Sequence, residues 1–142
     1  MNYAVRLRTL WVVWFLAMLF HVDLGLMPLF HGRSPEIHAH VSEQALPWLF
    51  GAMFAYFVVP LVALILIAYA DSHVASSQTW RSWRRIHFYL SLVYTVTNVP
   101  HLIADIVVPD ARIDQILLMA VMVIVGVLIN REGWLWWRQS RI

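Results

Sequence analysis

The chain contains no cysteine and no lysine, and only 13% of its 142 residues are charged. Without thiols there is no disulfide, no cysteine-ligated zinc or iron–sulfur cluster and no covalently attached haem. Any cofactor must therefore hang on histidine, methionine, tyrosine or a carboxylate. The charged fraction is roughly half the soluble average of about 25%, which excludes an ordinary water-soluble domain. What fills the chain instead is apolar, at 61% of residues, with 14% aromatic. The length excludes a large multidomain enzyme, and uninterrupted apolar runs exclude a membrane barrel, whose strands alternate. No internal repeat, low-complexity tract or separate soluble domain is visible.

Four stretches are long enough to cross a hydrocarbon core, which takes roughly 20 apolar residues in a helix. They run from about Leu10 to Phe30, Leu46 to Tyr69, Ile86 to Val108 and Ile113 to Ile129. The sequence thus predicts an all-α integral membrane protein, one transmembrane domain over residues 1–142 built as a four-helix bundle. The turn at Pro109, Asp110, Ala111 and Arg112 makes the third and fourth helices antiparallel neighbours. Arg6, Arg8, Arg81, Arg84, Arg85, Arg131, Arg138 and Arg141 fall on one side of the predicted membrane, and Arg33 and Arg112 on the other. By the positive-inside rule both termini are cytoplasmic, and Trp80, Trp83, Trp134, Trp136 and Trp137 anchor the same side. The apolar stretch after Arg6 and Arg8 lacks a small-residue cleavage pattern and carries His21 and Asp23, so it is expected to stay as a first helix. A bacterial inner membrane or a related internal membrane suits this pattern. The lipid bilayer is the expected partner, with other membrane subunits or further copies of the chain as additional ones. The basic residues follow topology, and nothing points to nucleic acid.

At membrane depth the informative residues are polar, because they are costly there and turn inward. On the third helix, steps of four and three residues collect His87, Ser91, Tyr94, Asn98, His101 and Asp105 on one face. The stripe covers ~27 Å at 1.5 Å per residue, and it is expected to turn toward the first helix, sealed by the second and fourth. Pro100 frees the carbonyl of Val96 beside it. The first helix offers His21, flanked one turn away by the small residues Ala17 and Gly25, which admit a close backbone or a flat ligand. Counted from the helix ends, His21 and His101 lie at one level. The loop after the first helix adds His31, Glu36, His38, His40 and Glu43, and His38 and His40 share a side if extended.

Imidazoles and carboxylates together suit a transition-metal ion, a b-type haem or a proton. His21, His101 and Asp105 are the expected metal ligands, with His38 or His40 capping the site. Tyr94 and Asn98 support the same site, whether it holds metal or haem. An interhelical hydrogen bond, or His101 satisfied by Asp105 one turn on, is the plainer alternative for these residues. His87 and His101 are fourteen residues apart, a separation with which transmembrane b-type cytochromes hold two stacked haems, but no second helix repeats it. His87 therefore reads as an interfacial residue beside Arg84 and Arg85, and Asp23 as a wetted interfacial acid. Three functions stay open: electron transfer or cation handling at this site, a non-enzymatic accessory or assembly subunit, and an enzyme using a histidine and a carboxylate on a lipid-soluble substrate. No nucleophile motif, phosphate loop or zinc-protease signature is present.

Overall fold

A computed structural model describes residues 2–32, 42–70, 78–107 and 112–139. They form four helices: α1 (Tyr3–Phe30), α2 (Leu46–Ala70), α3 (Gln78–Val107) and α4 (Ile113–Gln139). All four are long and apolar enough to span a membrane, and four such helices make a multi-pass membrane protein. Three of them outrun their apolar stretches. α1 begins at Tyr3 rather than near Leu10, α3 at Gln78 rather than near Ile86, and α4 continues to Gln139 rather than ending near Ile129. Hydropathy marks only what must sit in hydrocarbon, whereas backbone hydrogen bonding carries a helix onward through segments of arginine and tryptophan.

The helix ends have local causes. Asn2 caps α1, its Oδ1 accepting from the Val5 N–H at 3.1 Å, which satisfies one of the orphan donors of a first turn. At the other end the N–H groups of His31 and Gly32 reach back to Pro28 and Leu29 at 3.0 and 3.1 Å. Gly32 takes φ +67°, a left-handed conformation that glycine adopts without a Cβ clash, and α1 stops there.

Helix α4 is central: it packs along much of both α1 and α3, while α2 rests on α1 over a shorter length. The third and fourth helices are neighbours, as their short connection predicts. The polar face of α3 meets α1 through side chains, and α4 fills the angle between them. Trp11 and Trp14 of α1 meet Tyr94 of α3 edge-on at 5.9 and 5.7 Å between ring centroids, a favoured aromatic geometry. Leu7, Ile67, Met119, Met122 and Ile129 complete this core, all fully buried.

The contacts also fix which ends lie together. Arg6 near the start of α1 faces Glu132 late in α4 at 3.5 Å, and Trp11 reaches His87 early in α3 at 2.9 Å. At the opposite end Arg112 donates to the Leu24 carbonyl at 2.8 Å and Gln115 to the His21 carbonyl at 3.1 Å. Of the described arginines, Arg112 alone belongs to this second, histidine-bearing end.

Candidate metal site at the histidine-bearing end

The site is assembled from one residue of α1 and two of α3. His101 and Asp105 are four residues apart on one helix, so they stack on one face a turn apart. His21 comes across from α1 at the same level. Its Nε2 lies 3.7 Å from one oxygen of Asp105, and Nε2 of His101 lies 3.9 Å from the other. The two imidazole rings are 5.2 Å apart and nearly perpendicular, at 82°. One ligand atom from each of the three side chains falls within 4.8 Å of the others. Both carboxylate contacts are too long for hydrogen bonds.

Burial is graded across the cluster. His21 is 7% exposed, the Asp105 side chain 19% and the His101 side chain 51%. His101 opens onto a groove of about 400 Å³ between α1, α2 and α3 that is also lined by His21, Tyr56, Thr97 and Met53. Two hooks at the start of α4 fix α1 here: Gln115 on the His21 carbonyl, and Arg112, just before the helix, which holds both Asp114 oxygens while binding the Leu24 carbonyl. Gly25 lies beside the first hook. A Cβ there would lie 3.8 Å from Gln115 Nε2, an ordinary contact distance, so the small flank predicted beside His21 faces a side chain of α4 without being required by it.

Asn98 and Tyr94 sit on the same face of α3, one and two turns below His101. Their hydrogen bonds run to α2. The Tyr94 hydroxyl donates to the Tyr56 carbonyl at 2.6 Å, and the Tyr56 hydroxyl donates to Asn98 Oδ1 at 3.3 Å, with Thr97 Oγ1 3.1 Å away. These contacts tie α2 to α3 beneath the histidines. Asp23 and His31 are exposed near the same end. His38 and His40, with Glu36 beside them, lie outside the described residues.

His87 is enclosed within the bundle rather than exposed at its surface. It is fully buried, its Nε2 accepting from Trp11 Nε1 at 2.9 Å, with the rings of Trp83 and Trp136 about it at 6.0 and 5.9 Å. The extensions of α3 and α4 past their apolar stretches carry Trp83 and Trp136, two of the three tryptophans that enclose it. At fourteen residues from His101, or ~21 Å of helical rise, His87 belongs to a different end of the molecule.

One buried charge has no counterpart in the sequence expectations. Glu132 is 4% exposed, with Arg131 at 2.8 Å on one oxygen and Arg6 at 3.5 Å from the other. Its signal was present in the spacing. The buried positions of α4, from Met119 and Met122 through Val125, Gly126 and Ile129 to Glu132, Gly133 and Trp136, continue one helical stripe straight through it.

No family model matches the chain, and no characterised protein and no solved structure resembles it significantly.

Proposed function

We propose that the chain is a membrane metal-binding protein whose His21, His101 and Asp105 hold one transition-metal ion near the outer face, for cation handling. The observation that carries this reading is the placement of one carboxylate between two imidazoles, each oxygen facing a different Nε2 at 3.7 and 3.9 Å. Two ligand atoms at ~2.1 Å from a tetrahedral ion lie roughly 3.4 Å from each other, so three side chains whose ligand atoms lie within 4.8 Å need only small shifts to close on one ion. Two nitrogens and a carboxylate oxygen are a donor set for zinc, iron, manganese or copper(II). An open position is expected at such a site, and His38 or His40, from the loop that follows α1, is our candidate to cap it.

The same geometry favours an ion over a haem. A porphyrin ligated by His21 and His101 needs its plane between the two rings, and these are 5.2 Å apart with Asp105 against both. The orientation belongs to this proposal as well: the arginine-rich end is cytoplasmic, which turns the metal site outward.

Elemental analysis of protein purified in mild detergent tests the reading. Wild type is expected to hold about one equivalent of metal, and His21→Ala and His101→Ala to lose it while remaining monodisperse. Metal-free wild type after growth in metal-replete medium, or unchanged metal in both variants, overturns it.

A further inference from the structure

At the arginine-rich end the charges are unevenly matched. Glu132 is the one carboxylate there among the described residues, and it is buried, with Arg6 and Arg131 at its two oxygens. Arg81 and Arg85 of α3 are exposed, and among the described residues no carboxylate pairs with either. A guanidinium stays charged at any physiological pH, so the neutralising anion has to come from outside the bundle.

The two arginines head an ordered face. Arg81, Arg85, Tyr89 and Val93 follow one another at steps of four along α3, and Val96 continues the same side; all of them are exposed. Arg85 stands where the apolar stretch of α3 begins at Ile86. From Arg85 to Val96 the helix rises ~16 Å, about half of a ~30 Å hydrocarbon core. Two cations, a phenol and then valines thus succeed one another from headgroup level toward the bilayer midplane.

Helix α4 gives this face a wall. Trp137 stacks on Phe88 at 5.7 Å and 27°, and its ring lies 6.0 Å from that of Tyr89. The Arg85 guanidinium is 5.9 Å from the centroids of both Tyr89 and Trp137, at the outer limit of a cation–π contact. Two rings set its place, while no described residue accepts a hydrogen bond from it.

We propose that this face of α3, walled by Trp137, binds one anionic phospholipid of the phosphatidylglycerol class. Arg81 and Arg85 donate to its phosphate oxygens, Tyr89 and Trp137 lie beside its glycerol and ester region, and an acyl chain follows Val93 and Val96. The charge balance selects the headgroup. A zwitterionic lipid brings a cation of its own, which meets arginines here and two rings that Arg85 already overlies. A net-negative phosphodiester meets two guanidiniums that it neutralises. The apolar run below them selects a lipid over a soluble phosphate ester. This site is separate from the metal cluster and does not depend on it.

Native mass spectrometry of the full chain in mild detergent, titrated with dioleoyl phosphatidylglycerol or dioleoyl phosphatidylcholine, tests the assignment. The first phosphatidylglycerol should bind at least tenfold more tightly than the first phosphatidylcholine. Arg85→Gln should remove most of that preference. Tyr89→Glu, which keeps both arginines and places a carboxylate one turn from Arg85, should do the same. Arg8→Gln takes one unit of charge from α1 at the same end and should leave the preference intact, and excess glycerol 1-phosphate should not displace the bound lipid. Equal binding of the two lipids, or an unaltered preference in both Arg85→Gln and Tyr89→Glu, overturns the proposal. So does an equal loss in Arg8→Gln, the mark of diffuse attraction to the whole basic end, or displacement by glycerol 1-phosphate, the mark of a site for a soluble ester.

Discussion

Asp105 faces both imidazoles, and in the proposed metal site its charge would complete the donor set that His21 and His101 begin. Asp105→Asn preserves the shape and removes the charge, so metal affinity should fall tenfold or more with little change in Tm, read by competition with a chelating dye. The residues of this site were legible because polar groups at membrane depth are costly and stand out, and because helical spacing aligns His101 with Asp105. Trp11 and His87 were less legible. Their bond is a three-dimensional fact, made between two helices by residues 76 positions apart in the chain. Trp11→Phe leaves a fully buried imidazole nitrogen without its donor, a loss of about 1 to 3 kcal/mol. A lowered Tm with normal metal content is the expected result, and an unchanged Tm would count against a structural role for the pair.

Among the glycines, the tightest fit between helices is at Gly126 of α4. A Cβ built there would lie 2.6 Å from Thr95 Oγ1 and 3.3 Å from Thr95 Cβ. That hydroxyl is itself fixed, donating to the Ser91 carbonyl at 2.9 Å and accepting from Asn130 Nδ2 at 3.0 Å, so it cannot swing aside without breaking both. Gly126→Ala should therefore push α3 and α4 apart at a cost of about 1 to 3 kcal/mol. Thr95→Ala in the same chain should recover part of it, a coupling that a double-mutant cycle on thermal unfolding measures. Additive losses would show that the contact is not the cause. The four helices and the antiparallel pairing of α3 with α4 were readable from apolar length and from one short turn. The centrality of α4 was not, because a nearly uniform apolar helix shows no polar face. Its clue lay in Gly126 and Gly133, two turns apart on one side, which meet Thr95 and His87 as small residues do at membrane helix interfaces.

For the molecule as a whole, charge is sorted by end. Arg6 and Arg131 gather about Glu132 at one end, where Arg84 and Arg138 also lie over the rings of Trp136 and Trp134 at 4.9 and 4.6 Å. The other end keeps His21, His101 and Asp105 around Arg112 and Gln115. The absence of cysteine makes the orientation simple to measure with single replacements at exposed positions. A membrane-impermeant maleimide should label Ser42→Cys in intact cells and Ser82→Cys only after permeabilisation. The reverse pattern would place the metal site on the cytoplasmic side. The central claim is the ion itself, and metal-edge X-ray absorption on the purified protein tests it most directly. The account predicts a bound transition metal with two imidazole nitrogens and at least one oxygen among its ligands. A protein without bound metal, or a metal ligated by oxygen alone, contradicts it.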